Sequence, residues 1–253
     1  MALSWVVVSW HIIVLGFVIG MLSGMFGFGG SSISTPMLRI FLSVSPYYAL
    51  ASPLPISMIS SCIASMRYYK ENLIDWSITK EVLLFLIPGS IVGAYLTMFV
   101  NGEYLMLLTG VFLIYISFRL LFEKERKGLS EIGLAKLRSI WFFVGFVSGM
   151  LANAGGILIS PLLVFLGVRI KRAIATSLSI ALIGSIPVIL IHGLLNHIDW
   201  MLTLFLSIGV IPASYIGASI TVRMDRRKLK TLYGLFLLLF SVYFIVFELI
   251  KLF

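Results

Sequence analysis

The sequence predicts an all-α polytopic membrane protein made of two inverted-topology repeats, each opening on a broken or re-entrant helix pair. Three observations predict it: apolar composition with long uncharged runs, a duplication spread along the chain, and basic residues confined to particular connections. Hydrophobic residues make up 60% of the 253 residues and charged ones 11%, with a mean hydropathy of +1.10. A soluble domain needs about 25% charge to cover its surface. Residues 5–38 and 202–222 contain no Asp, Glu, Lys or Arg, and runs of that length cross a bilayer as helices. Residues 5–24 lack a basic leader and a small-residue cleavage site, so they are expected to be a retained segment. The lone cysteine, Cys62, leaves no internal disulfide.

Five apolar segments can be drawn in each half: 5–28, 31–44, 46–66, 77–100 and 104–122, then 139–154, 157–168, 172–195, 200–222 and 229–250. The expected division is a first repeat over 1–122, a cytoplasmic linker over 123–129 and a second repeat over 130–253. The formal charge is +9, and its placement is uneven. Four connections carry the basic residues, around Arg67, Lys70 and Lys80; Arg119 to Arg138; Arg169, Lys171 and Arg172; and Arg223 to Lys230. Only Arg39 and Lys251 fall elsewhere. Cytoplasmic loops concentrate Lys and Arg, so these four connections are expected inside and both termini outside a prokaryotic cytoplasmic membrane. Bilayer insertion accounts for the charge, and no basic-aromatic groove pattern points to nucleic acid.

Ser23-Gly24-Met25-Phe26-Gly27-Phe28-Gly29-Gly30 matches Ser148-Gly149-Met150-Leu151-Ala152-Asn153-Ala154-Gly155 at an offset of 125. The register runs on through Thr35-Pro36 over Ser160-Pro161 and Ala51-Ser52 over Thr176-Ser177. After one deletion, at an offset of 124, Asp75-Trp76 matches Asp199-Trp200, and residues 88–94 match 212–218. The halves read as duplicates. Equivalent loops differ in charge: Arg67, Lys70 and Lys80 correspond to a stretch, 192–199, with no Lys or Arg, whereas Arg169, Lys171 and Arg172 correspond to a stretch with Arg39 alone. Equivalent loops are therefore expected on opposite sides of the membrane, the inverted arrangement that recurs in secondary transporters.

Only 30 residues separate Arg138 from Arg169, both assigned inside, while two full crossings need about 40. A hairpin turning at membrane depth fits, and glycine supplies the turn. Inversion brings the two tips, near Phe28-Gly29-Gly30 and Asn153-Ala154-Gly155, toward one another. The arms that follow begin at Ser31 and Gly156, so each directs unpaired N–H groups and a positive dipole end at the centre. Converging helix N-termini suit an anion. The candidate binding residues are Gly27, Gly29, Gly30, Ser31, Ser32, Asn153, Gly155 and Gly156, with Ser52, Thr176 and Ser177 from the next segments. Gly16, Gly20, Gly24, Gly145 and Gly149 read instead as close helix packing, and a serine in a membrane helix often only bonds its own preceding turn.

The run G-x-x-x-G-x-G-G leading to a proline, once per half, with an Ala/Thr-Ser pair some 16 residues beyond it, resembles the sulfite exporter TauE/SafE family. The resemblance implies movement of sulfite, sulfoacetate, other organosulfonates or small organic acids across a prokaryotic membrane. Ala152, Asn153 and Ala154 depart from a glycine-rich pattern in the second half. The expected function is a secondary carrier, exporting small anions by alternating access. An anion channel and a carrier of other organic acids are the alternatives. No phosphate loop, HExxH or paired intramembrane carboxylate appears, so neither an enzyme nor a cofactor is expected. Arg39 is either an anion contact or a side chain snorkelling to the outer interface. His192 and His197 read as an outer interfacial loop, and Glu248 as a solvated outer end.

Overall fold

A computed structural model describes residues 2–27, 30–122, 133–153 and 156–252. The linker 123–129, Phe28, Gly29, Ala154 and Gly155 lie outside the described residues. Among the described residues every regular element is helical: α1 (Ala2–Phe26), α2 (Ser31–Leu42), α3 (Pro46–Ala51), α4 (Pro53–Tyr69), α5 (Trp76–Leu96), α6 (Gly102–Phe122), α7 (Leu134–Met150), α8 (Gly156–Phe165), α9 (Ile170–Leu194), α10 (Trp200–Arg223) and α11 (Arg226–Leu252). Among the described residues, five stretches are long and apolar enough to cross a membrane: Pro46–Tyr69, Trp76–Phe99, Ile170–Leu194, Trp200–Arg223 and Arg227–Ile250. By contrast α2 has 12 residues and α8 has 10. At 1.5 Å per residue they reach about 18 and about 15 Å, half of a hydrocarbon core of about 30 Å.

Local sequence explains where these helices begin. The Asp75 carboxylate accepts from the amides of Ser77 and Ile78, both at 3.2 Å, and caps α5. Asp199 caps α10 in the same way, from Met201 and Leu202 at 3.0 Å. Each satisfies amides that have no partner inside the helix. Two details differ from the apolar pattern. Helix α7 starts at Leu134, taking Lys136 and Arg138 into its first turns, where long basic side chains can reach the interface from a helix. The span from Pro46 steps at Ser52, because Pro53 has no N–H to continue α3.

The packing partners exchange when the halves are exchanged. Helix α1 packs on α10 and α5 on α7; α4 packs on α9, and α6 on α11. Glycines bring the first two pairs together: a Cβ at Gly16 or Gly24 would meet the carbonyls of Leu206 or Ser214 on α10, and one at Gly145 or Gly149 those of Leu86 or Ser90 on α5. Close backbone approach through small residues is the usual basis of helix association in lipid, where burial of apolar surface gives no net drive. Leu84, Phe143, Leu239 and Ile250 face outward, as a lipid-contacting surface requires.

Matching bonds lie one position from the register expected at one point. The Asp199 amide donates to Ser52 Oγ at 2.8 Å, and the Asp75 amide donates to Thr176 Oγ1 at 3.0 Å. Ser52 and Thr176 thus make the same bond, whereas the expected duplication pairs Ser52 with Ser177. Ser43 and Gly167, just past the C-terminal ends of α2 and α8, both take left-handed backbone (φ 50° and 87°). Tyr68 and His192 make similar contacts: the Tyr68 hydroxyl donates to the Gly24 carbonyl at 2.8 Å, and His192 Nε2 meets that of Gly149 at 3.4 Å.

Candidate functional site

The first break opens where α1 ends. Gly27 takes φ 77° and Gly30 takes φ 95°, conformations that L side chains rarely adopt. Gly30 is the N-cap of α2 and offers no side chain, so no side-chain cap satisfies the first amides of that helix. Pro36, six residues into α2, leaves the Ser32 carbonyl without its usual donor. In the second half α7 ends at Met150, Ala152 takes φ 43°, and α8 begins at Gly156.

The two breaks touch. The Ser31 hydroxyl donates to Asn153 Oδ1 at 3.2 Å, joining residues 122 positions apart in the chain. Asn153 is 5% exposed, and its NH2 group has no hydrogen-bond partner among the described residues. Ser32 Oγ is likewise buried without a partner among the described residues. Ser177 Oγ reaches the Gly27 carbonyl at 3.3 Å and would obstruct a Cβ at Gly27. A Cβ at Gly30 would lie 3.5 Å from Ser57 and 3.6 Å from Ser23 Oγ. Gly27, Gly30, Ser31, Ser32, Asn153 and Ser177 are thus brought together, with Gly156 opening the facing arm. Such a cluster supplies hydroxyl, amide and helix-terminal N–H donors and no formal charge. That composition suits an anion that must also leave.

Three predicted residues sit around this cluster. Ser52 and Thr176 each accept the amide of the Asp that caps the opposite half's helix, α10 or α5. Arg39 lies two turns along α2 from Ser31 and is 5% exposed. Its Nε and Nη2 donate to the two oxygens of Glu248 at 2.8 Å, Nη2 also donates to Glu103 at 2.9 Å, and Nη1 donates to the Val44 carbonyl at 3.1 Å. Glu248 is 1% exposed, so the expectation that it is merely solvated is corrected: the helix end is buried against α2, and a buried carboxylate needs a cation. His192 is also fully buried, and its Nδ1 lies 3.3 Å from His197 Nδ1. Since His192 Nε2 must donate to a carbonyl, His192 Nδ1 accepts and His197 donates. Burial pushes the His197 imidazole below its usual pKa.

The sequence profile of the sulfite exporter TauE/SafE family matches residues 12–244. The chain belongs to this family. It is a multi-pass membrane transporter. Relatives are named as membrane transporters throughout. "Probable membrane transporter protein YunE" of Bacillus subtilis is 26% identical, over 90% of this chain and 94% of that protein. A probable membrane transporter protein of Methanocaldococcus jannaschii is 25% identical, over the same shares. "Probable membrane transporter protein MamO" of Paramagnetospirillum magneticum is 21% identical and matches 88% of this chain but 42% of its own length. No solved structure matches the chain.

The structure of this TauE/SafE chain adds residues that sequence reasoning missed. Ser57, Ser61 and Ser65 on α4 are buried with no hydrogen-bond partner among the described residues. Ser23 and Ser60 hydroxyls lie 2.6 Å apart, and Ser214 donates to Ser60 at 3.0 Å. Ser57, Ser61 and Ser65 recur every fourth residue, a helical spacing that was available as a signal. Beside so many serines that bond their own preceding turn, that spacing alone does not tell which hydroxyls remain unspent.

Proposed function

We propose that the protein exports small anions, such as sulfite, organosulfonates or related organic anions, across a prokaryotic cytoplasmic membrane by alternating access around the two breaks. The observation that carries this reading is the Ser31–Asn153 contact between the N-terminal approaches to α2 and α8. The binding residues are Gly27, Gly29, Gly30, Ser31, Ser32, Asn153, Gly155 and Gly156, with Ser52, Thr176 and Ser177 holding the surrounding helices. Arg39 positions α2 through Glu248 and Glu103 and does not itself neutralise the ligand, since the triad carries a net negative charge.

Inverted topology is supported by which loops meet. The connection after α4 and the basic stretch that opens α9, with Arg169, Lys171 and Arg172, line one cavity. On the opposite side, Tyr47 of α3 stacks on His197 of the α9–α10 connection at 4.7 Å. Equivalent loops thus belong to different faces, and both termini fall outside when the basic face is cytoplasmic. Exchange of the halves would convert one gating state into its mirror.

The test is flux of sulfite, sulfoacetate, taurine and sulfate into liposomes containing purified protein. Saturable flux with counterflow is expected. Replacing Asn153 by Leu should raise KM about tenfold, the scale of one lost hydrogen bond to a charged ligand. No flux above empty vesicles for any of these anions would remove the reading; unchanged KM in Asn153→Leu would return that residue to packing.

A further inference from the structure

An open cavity of about 630 Å3 lies between the α4–α5 connection of one half and the α8–α9 connection of the other. Its charged lining residues are Asp75, Arg169, Lys171 and Arg172. The only carboxylate among them is already committed, because Asp75 accepts the first amides of α5. Lys171 Nζ donates to the Val222 carbonyl at 2.6 Å, which fixes its ammonium at the rim. Arg169 and Arg172 are exposed and form no ion pair among the described residues. The cavity therefore keeps a net positive field with two uncommitted guanidinium groups.

This cavity connects to the break through one layer of structure. The Asp75 amide donates to Thr176, and the next residue, Ser177, reaches the Gly27 carbonyl. The corresponding place on the other face is built differently. Tyr47 and Tyr48 stand where Lys171 and Arg172 stand, counting from the N-caps Ser45 and Arg169. There Tyr47 stacks on His197, and its hydroxyl donates to the Val100 carbonyl at 2.9 Å. One face presents an open basic cavity; its counterpart holds stacked rings.

We propose that this cavity is a capture site for small oxyanions, feeding the break from the face that carries the basic loops. Sulfite, sulfonates and carboxylates share delocalised anionic oxygens, which guanidinium groups bind through paired N–H donors. A basic concavity also raises the local anion concentration and the rate of capture. The inference rests on the transport reading above and extends it, because an anion-collecting mouth on one face alone favours loading from that face. Phospholipid headgroups offer the same chemistry, so the test separates the two sources.

The experiment compares wild type, R169Q/R172Q and R169K/R172K in liposome flux and in detergent without lipid. In flux, R169Q/R172Q should raise the KM for sulfite about fivefold and flatten its dependence on ionic strength, with kcat altered less than about twofold. R169K/R172K should restore most of the loss, since charge is retained. In detergent, sulfite should raise the unfolding temperature of wild type and of R169K/R172K, and do so less for R169Q/R172Q. Unchanged KM and salt dependence in R169Q/R172Q overturn the capture site. So does a change confined to stabilisation by phosphatidylglycerol, which would make it a headgroup site. Absence of wild-type flux would remove the transport reading instead, and the sulfite stabilisation series would still decide the capture site.

Discussion

Glu248 has given up nearly all contact with solvent and regains it from one guanidinium, which also holds Glu103. Removing one partner of a buried pair leaves an uncompensated charge, a loss of about 3–5 kcal/mol, whereas replacing both by apolar groups can be neutral. Arg39→Met should therefore lower stability by about 3 kcal/mol, since it leaves the buried Glu248 carboxylate without its cation, while R39M/E248L should recover much of it, because the pair vanishes together. Chemical unfolding of the detergent-solubilised protein measures both; equal losses in the single and double variants would show that the ion pair itself contributes net stability. His197 lies outside the spans and gives a pH-dependent expectation. Burial lowers its pKa below the usual 6.5, so the folded chain binds fewer protons there than the unfolded one. Stability from this group is complete above 6.5 and declines as pH falls through it. His197→Gln should flatten the stability profile between about pH 7 and 5, relative to wild type; superimposable profiles would contradict this.

Helices meet in this fold in two ways that glycine serves differently. At Gly145 a Cβ would press on the Leu86 carbonyl, so α5 and α7 must separate to admit it. Gly145→Ala should cost about 1–3 kcal/mol as overpacking. At Gly30 the nearest atom to a Cβ lies 3.5 Å away, so space is available, but φ 95° is strained for any side chain. Gly30→Ala should cost about 1–2 kcal/mol through the backbone alone and leave the α5–α7 spacing unchanged, as distances between spin labels on those helices would report. A shift in that spacing from Gly30→Ala would overturn the distinction. The same contrast explains what was legible in the sequence. Breaks, helix starts and short arms are local, written in Gly30, Asp75, Asp199 and the 30-residue limit between Arg138 and Arg169. Partners across the fold are not. Arg39 and Glu248 are 209 residues apart, and no spacing rule links them. The step at Ser52 and the one-position offset of its bond stayed hidden because small residues on both sides match at either register. On α4, Ser57 keeps its hydroxyl unpartnered among the described residues, whereas Ser90 on α5 bonds the Ile87 carbonyl; residue type alone does not separate them.

At the scale of the whole molecule, the break is one layer from an open basic cavity on one face, while the other face is filled by Tyr47 and His197. If the halves rock about the break, that stacked pair must part during each cycle, since Tyr47 and His197 stand in different halves of the chain. In a Cys62→Ser background, cysteines at Lys70 and Leu194, both exposed, should label with impermeant maleimide from opposite sides of the membrane. Labelling from one side would end the inverted reading. The same background allows the motion itself to be tested. Tyr47→Cys with His197→Cys, bridged by a short cleavable bis-thiosulfonate, should lower flux at least about tenfold, because a fixed outer face admits only one of the two gating states. Cleavage of the bridge should restore it, and neither single cysteine should respond to the reagent. Full flux through bridged protein would mean that this face stays shut during transport, and access would then have to pass between helices elsewhere.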